Sequence, residues 1–97
     1  MVSHQSANIV LRVPYRLRPL TGGERVVHLD AASVGEALTQ LVSRYPALRS
    51  RLREQGGQLR PSVLFFVNSE DIRTRSGEQT PLSEGDELAI VMLAEGG

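Results

Sequence analysis

The stretch Ser33-Val34-Gly35-Glu36-Ala37-Leu38-Thr39-Gln40-Leu41-Val42-Ser43-Arg44-Tyr45-Pro46 decides how the rest of the chain is read. Its apolar residues Val34, Ala37, Leu38, Leu41, Val42 and Tyr45 recur at helical spacing and share one face. Ser33-Val34-Gly35-Glu36 fits a capping box, in which the serine oxygen accepts from first-turn amides and the glutamate reaches back to the serine amide. Pro46 interrupts the pattern. The segment reads as an amphipathic helix whose apolar face lies across a sheet.

Strand patterns flank it on both sides. Upstream, Ile9, Leu11 and Val13 alternate with Val10 and Arg12, so Asn8 to Val13 has the period of a half-buried strand. Leu20-Thr21-Gly22-Gly23 supplies the positive φ angles of a turn, after which Glu24 to Leu29 extends again as an antiparallel partner. No helix start follows the paired glycines, so a hairpin turn is favoured over a phosphate cradle. Downstream, Pro46 opens a shorter helix with Leu48 and Leu52 inward and Arg49, Arg51 and Arg53 toward water, closed by Gly56-Gly57. Val63 to Val67 is a strand, and Asn68-Ser69-Glu70-Asp71 turns into a short extended Ile72-Arg73. Ser76 to Asp86 is polar with Leu82 as its core anchor, and Glu87 to Leu93 extends once more.

The order β-β-α-β-β-β predicts an α+β fold of the β-grasp type: a mixed four- to five-stranded sheet with one main helix across one face. Ile9, Leu11, Val13, Val67, Leu88 and Ile90 are expected beneath that helix. Residues 1–93 are assigned to the domain and residues 94–97 to a tail ending in diglycine. Ninety-seven residues with 40% apolar content suit a single core.

Composition removes most function classes. Eleven arginines and no lysine balance eleven acidic residues, so zero net charge gives no electrostatic case for a nucleic-acid or anionic-membrane partner. The lack of cysteine excludes disulfides, a thiolate nucleophile and a Cys-based zinc site. His4 and His28 stand apart in the sequence, so no metal site is expected. Neither a G-x-S-x-G elbow nor a phosphate loop occurs, and no active site of the chain's own is expected. Met1 to Ala7 has no signal-peptide pattern and Val63 to Val67 is too short to span a bilayer, so a cytoplasmic location is expected. Arg49, Arg51, Arg53 and Arg60 form a basic concentration, read first as a solvated helix face.

Two features could carry function. One is Ala94-Glu95-Gly96-Gly97, which follows the last strand. At about 3.3 Å per extended residue, four residues reach roughly 13 Å, and paired glycines lack the Cβ atoms that would obstruct a narrow channel. A flexible terminus is the alternative reading. The other is a sheet face. If Leu88 and Ile90 point to the helix, Ala89 and Val91 point away from it, beside Val10, Leu64 and Phe66, and Leu93, Ala94 and Glu95 continue the surface. Such a patch either docks a partner or lies under the chain's own loop.

These residues, with Val67-Asn68, Ser69-Glu70-Asp71-Ile72-Arg73, Glu84-Gly85-Asp86-Glu87-Leu88 and terminal Gly96-Gly97, resemble the ubiquitin-like sulfur-carrier family that includes the molybdopterin-synthase small subunit and the thiazole-synthesis carrier. Leu17-Arg18-Pro19-Leu20-Thr21-Gly22-Gly23 and Val67 to Arg73 look most like the carrier of cysteine biosynthesis. Met92-Leu93 replaces the Pro-Pro pair of some members, and Glu95 sets a charge beside the diglycine. The resemblance implies that Gly97 is adenylated by a separate ubiquitin-activating-type enzyme using ATP and magnesium, with no cofactor bound to the chain itself. A sulfur donor would then convert Gly97 to a thiocarboxylate. A sulfur-accepting synthase would take the sulfur, with a metalloprotease releasing cysteine from the tail in the cysteine route. The alternatives are a molybdopterin-synthase small subunit, a ubiquitin-like protein modifier and a plain interaction module.

Overall fold

Alternating Ala7, Ile9 and Leu11 with Asn8, Val10 and Arg12 produces the first strand, β1 (Ala7–Arg12), with the first set buried. The structure, a computed structural model, describes residues 6–93. β1 pairs antiparallel with β2 (Val26–Ala31), Leu11 standing opposite Val27 and Ile9 opposite Leu29. The connection differs from the expected simple turn. Tyr15–Thr21 forms a 3-10 helix, closed by Gly22 and Gly23 at φ +66° and +87°, and β2 begins only at Val26. The buried Thr21 hydroxyl lies 2.9 Å from the Glu24 carbonyl and the Glu24 amide donates to Thr21 O, which holds Glu24 in the turn and delays the strand.

The main helix, α1 (Val34–Arg44), is capped as its sequence requires: Ser33 Oγ accepts from the Glu36 amide at 3.2 Å. The reciprocal bond lands one residue earlier than expected, because the Glu36 carboxylate accepts from Ala32 N at 2.6 Å while Ser33 bridges in extended geometry to Pro81. Val34, Ala37, Leu38 and Leu41 are buried, with Val42 and Tyr45 packed at the margin. Solvent-side residues of α1 also cover the outer edge of β2. The Gln40 amide accepts from Asp30 N at 3.4 Å and donates to Asp30 O at 2.5 Å, filling the place of a neighbouring strand.

Pro46–Leu48 is a 3-10 turn leading into α2 (Arg49–Leu52), which plants Leu48 and Leu52 in the core. α2 stops well before Gly56-Gly57, where Arg53 turns extended and pairs with Leu59. β3 (Val63–Val67) and the two-residue β4 (Glu70–Asp71) form the second hairpin. Its turn residues, Asn68 and Ser69, have φ of 49° and 75°. The extended segment expected at Ile72-Arg73 is instead a 3-10 turn, Ile72–Thr74, started by Asp71, whose carboxylate accepts from Arg73 N at 2.8 Å. The last strand, β5 (Glu87–Met92), lies centrally in the five-stranded order β2-β1-β5-β3-β4. It runs parallel to β1 and antiparallel to β3. Ile9, Leu11, Val13, Val67, Leu88 and Ile90 are all buried on the helix side, as the strand periodicity predicts. The polar connection before β5 is anchored by Leu82 in the core and by backbone bonds from Val34 N to Thr80 O and Leu82 N to Ala32 O.

Candidate functional site

What the last strand presents depends on its parity, and that parity is fixed at its start. Asn68 tolerates a positive φ, and from that position its side chain bridges to β5. Its Nδ2 donates to Asp86 Oδ1 at 2.8 Å, its Oδ1 accepts from Glu87 N at 2.9 Å, and its own amide donates to Glu87 O at 2.9 Å. Asp86 Oδ2 accepts from Ser83 N at 2.7 Å. Gly85, at φ +86°, donates to Asn8 O at 2.8 Å, while the Glu84 carboxylate accepts from both the backbone and the side chain of Asn8 at 3.1 Å. The stretches Val67–Arg73 and Glu84–Leu88, which carry the sequence resemblance, are thus the clasp that sets β5 in register between β1 and β3.

With that register, Leu88 and Ile90 go into the core and Ala89 and Val91 face outward. Leu64 pairs with Val91 and Phe66 with Ala89, bringing four of the expected partner-binding residues together. Val10 shares the face one strand away, opposite Glu87 on one side and His28 on the other. Val91 is 40% exposed and Leu93 44%, while Val10, Leu64, Phe66 and Ala89 are half-buried. The face is not continuously apolar. Arg12, opposite Ala89, donates through Nε to Glu87, and this ion pair crosses the sheet between Val10 and Ala89. Leu93, the last described residue, donates its amide to Ser62 O at 2.9 Å, extending the β3–β5 pairing by one bond past Met92. Ala94, Glu95, Gly96 and Gly97 lie outside the described residues.

The remaining charged groups build structure. Arg53 grips both carboxylate oxygens of Glu78 at 2.9 and 2.7 Å and also donates to Gly57 O at 2.8 Å. Those bonds lower the Glu78 pKa, against a partial burial that raises it. Arg60 likewise donates to Ser50 O, so two of the four arginines first read as a solvated face are structural ties. Sequence reasoning missed the Arg53–Glu78 pair, for which two opposite charges far apart in the chain give no local signal. Among the described residues no group of three or more His, Cys, Asp or Glu could hold a metal, and His28 is exposed on β2. Among them, too, no helix is long and apolar enough to cross a membrane.

Both the fold and the sequence have known counterparts. Residues 11–97 match the ThiS family. The chain belongs to the ThiS family. Among relatives of this ThiS-family chain, the sulfur carrier protein CysO of Mycobacterium tuberculosis is 32% identical over 92 residues, covering 93% of this chain and 99% of the relative. The solution structure of small archaeal modifier protein 1 from Methanosarcina acetivorans superposes with a TM-score of 0.87 at 27% identity, covering 96% of this chain and 99% of that one. CysO in the Amycolatopsis orientalis BexX/CysO complex gives a TM-score of 0.83 at 31% identity, covering 92% and 99%. This ThiS-family member is accordingly a ubiquitin-like β-grasp protein related to both sulfur carriers and protein modifiers.

Proposed function

We propose that the chain is a sulfur carrier whose working group is the Gly97 carboxylate. The observation that carries this reading is the family match running through Gly96-Gly97, which follow in sequence a central strand extended by the Leu93–Ser62 bond. An ionised carboxylate is a poor electrophile. In the proposed scheme a carboxylate oxygen of Gly97 attacks the α-phosphorus of ATP on a separate, magnesium-using, ubiquitin-activating-type enzyme, expelling pyrophosphate. Hydrosulfide supplied as the sulfur donor then attacks the acyl carbon, the acyl–phosphate C–O bond breaks as AMP leaves, and loss of the S–H proton gives the thiocarboxylate. The chain binds no cofactor of its own and acts as cosubstrate, not as enzyme, in the cytoplasm where ATP is available.

The CysO relatives support cysteine as the final product. The acceptor in that route is an activated serine on a pyridoxal-phosphate synthase, and a metalloprotease releases cysteine from the tail. Leu64, Phe66, Ala89 and Val91, with Val10 and Leu93 at the margins, are the surface we assign to docking these partners. Ala94 and Glu95, the next residues in sequence, are assigned to the same docking role. A second reading is favoured by the likeness to the archaeal modifier: Gly97 joined to a lysine of another protein.

The test is mass spectrometry of the C-terminal peptide after incubation with the host's activating enzyme, ATP, magnesium and a sulfur donor. Intact protein should gain the mass difference between sulfur and oxygen. Deleting Gly97 should leave folding unchanged and abolish the gain, because the reacting carbon moves by about 3.3 Å and displacements near 1 Å already cost on the order of a hundredfold. Equal sulfur uptake by the truncated chain would refute the assignment, and isopeptide-linked lysines in host extracts would favour the modifier.

A further inference from the structure

The sheet topology gathers arginines without carboxylate partners at the end of the domain where β5 finishes. β1 and β5 are parallel with Arg12 beside Ala89, so Met92 and Leu93 lie past the C-terminal end of β1. The Tyr15–Thr21 helix follows that same end. α1 runs back along β2, Gln40 meeting Asp30 and Arg44 reaching His28 O, which returns α2 to this end as well. Here Arg51 joins Tyr15, Arg16, Arg18 and Pro19 around one open groove. Tyr15 is 79% exposed. The Arg18 guanidinium stands 5.8 Å from its ring centroid and is held there by a bond from Nε to Val13 O.

Among the described residues Arg16, Arg18 and Arg51 have no ion pair, whereas Arg12, Arg53, Arg73 and Arg75 each have one. Carboxylates collect at the opposite end, where Glu70 lies in the second hairpin and Glu84 and Asp86 lead into β5. On the arginine side Glu24 stands next to Arg25, and Glu54 follows Arg51 by three residues. Among the described residues the unpaired arginines of the groove and the carboxylates that lead into β5 thus stand at opposite ends of the sheet.

We infer that Tyr15, Arg16, Arg18 and Arg51 form a docking patch for an acidic segment of the protein that activates the C-terminus, an inference that rests on the carrier reading above. Charge complementarity selects the partner's chemistry. Tyrosine and arginine are the side chains that anchor protein interfaces, and a lone exposed tyrosine fixed by a cation suits that role. The patch is separate from the open sheet face, since Leu17, Leu48 and Leu52 seat its elements in the core on the helix side. The two surfaces then have different duties. The apolar face slows dissociation, while the basic patch speeds encounter and presents the tail end first.

Association of the full chain with its host's adenylating enzyme, followed by stopped flow from low salt to about 0.5 M NaCl, separates these duties. Arg16→Glu with Arg51→Glu should slow association about tenfold at low salt, converge on the wild type at high salt and leave dissociation unchanged. Arg18 is left in place because it bonds to Val13, and a thermal melt verifies folding. The milder Arg16→Gln with Arg51→Gln pair should fall between the two. Wild-type association rates and salt slope in both pairs, with binding still weakened by Val91→Asp, overturn the patch and leave the carrier reading intact. The patch is equally overturned if its variants only dissolve head-to-tail oligomers of the chain without changing enzyme association. Failure of the wild type to be adenylated at all overturns both.

Discussion

Replacing Arg53 and Glu78 singly and together with alanine measures how much stability passes through one side-chain contact between the residue that ends α2 and the 3-10 turn Gly77–Gln79, which packs against Gly35 at the start of α1. The pair is bidentate, with side chains 17% and 35% exposed. Two unit charges about 4 Å apart attract by about 4 kcal/mol at an effective dielectric near 20 and about 1 kcal/mol in water. Partial exposure and the ordering of two long side chains place the coupling low in that range, at about 1–2 kcal/mol. Each single variant should lose about 1–3 kcal/mol, because the surviving partner keeps its desolvation cost. The pH dependence has a definite sign. The hydrogen bond from Arg53 depresses the folded-state pKa of Glu78, so its contribution is complete above the unfolded value of about 4.3 and disappears as pH falls through the folded value. Arg53, raised by the same bond, stays charged throughout. Urea unfolding of the four proteins at neutral pH and in acid gives the cycle. A neutral-pH coupling below about 0.3 kcal/mol, within ordinary additivity error, would refute the reasoning, as would a coupling that survives in acid.

Leu41→Ala, at a fully buried position of α1, should cost about 2–5 kcal/mol and lower Tm on the order of ten degrees, measured by calorimetry. Val91→Asp, and separately Phe66→Asp, should leave the domain folded and weaken association with the activating enzyme by a few kcal/mol, read by titration calorimetry. Asn68→Ala should lose the bonds to Asp86 and Glu87 and also strain a left-handed backbone, whereas Asn68→Gly loses only the bonds. Chemical unfolding should therefore rank alanine below glycine by about 1 kcal/mol.

Short-range patterns were legible in the sequence because they are properties of consecutive residues. The apolar stripe from Val34 to Tyr45, its Ser33 cap and the Leu88/Ile90 against Ala89/Val91 alternation need no knowledge of neighbours, and the structure keeps all of them. The Tyr15–Thr21 helix was hidden because Leu17 is its one buried aliphatic side chain and the following glycines suit a plain turn equally well. Ion pairing on the open face was hidden for another reason. Arg12 and Glu87 lie 75 residues apart and meet only through the parallel β1–β5 register, a non-local pairing that no window of sequence contains. Candidate docking residues were found through strand parity, yet the charge that divides them depends on topology. The basic patch escaped notice likewise, since Arg51 and Arg16 become neighbours only when α2 returns beside the Tyr15 helix.

The central position of β5 also has a mechanical meaning. Tension applied to the C-terminal end of β5 acts along the axis of this strand. Its backbone hydrogen bonds to β1 and β3 run across that direction, so they resist together in shear rather than breaking in succession. A chain leaving instead from β4, paired only through Phe66 and Val67, would unzip from the edge under a far smaller force. The Asn68 clasp at one end of β5 and the Leu93–Ser62 bond at the other oppose the first slip of the strand. The sheet can therefore stay whole under tension on the end of β5.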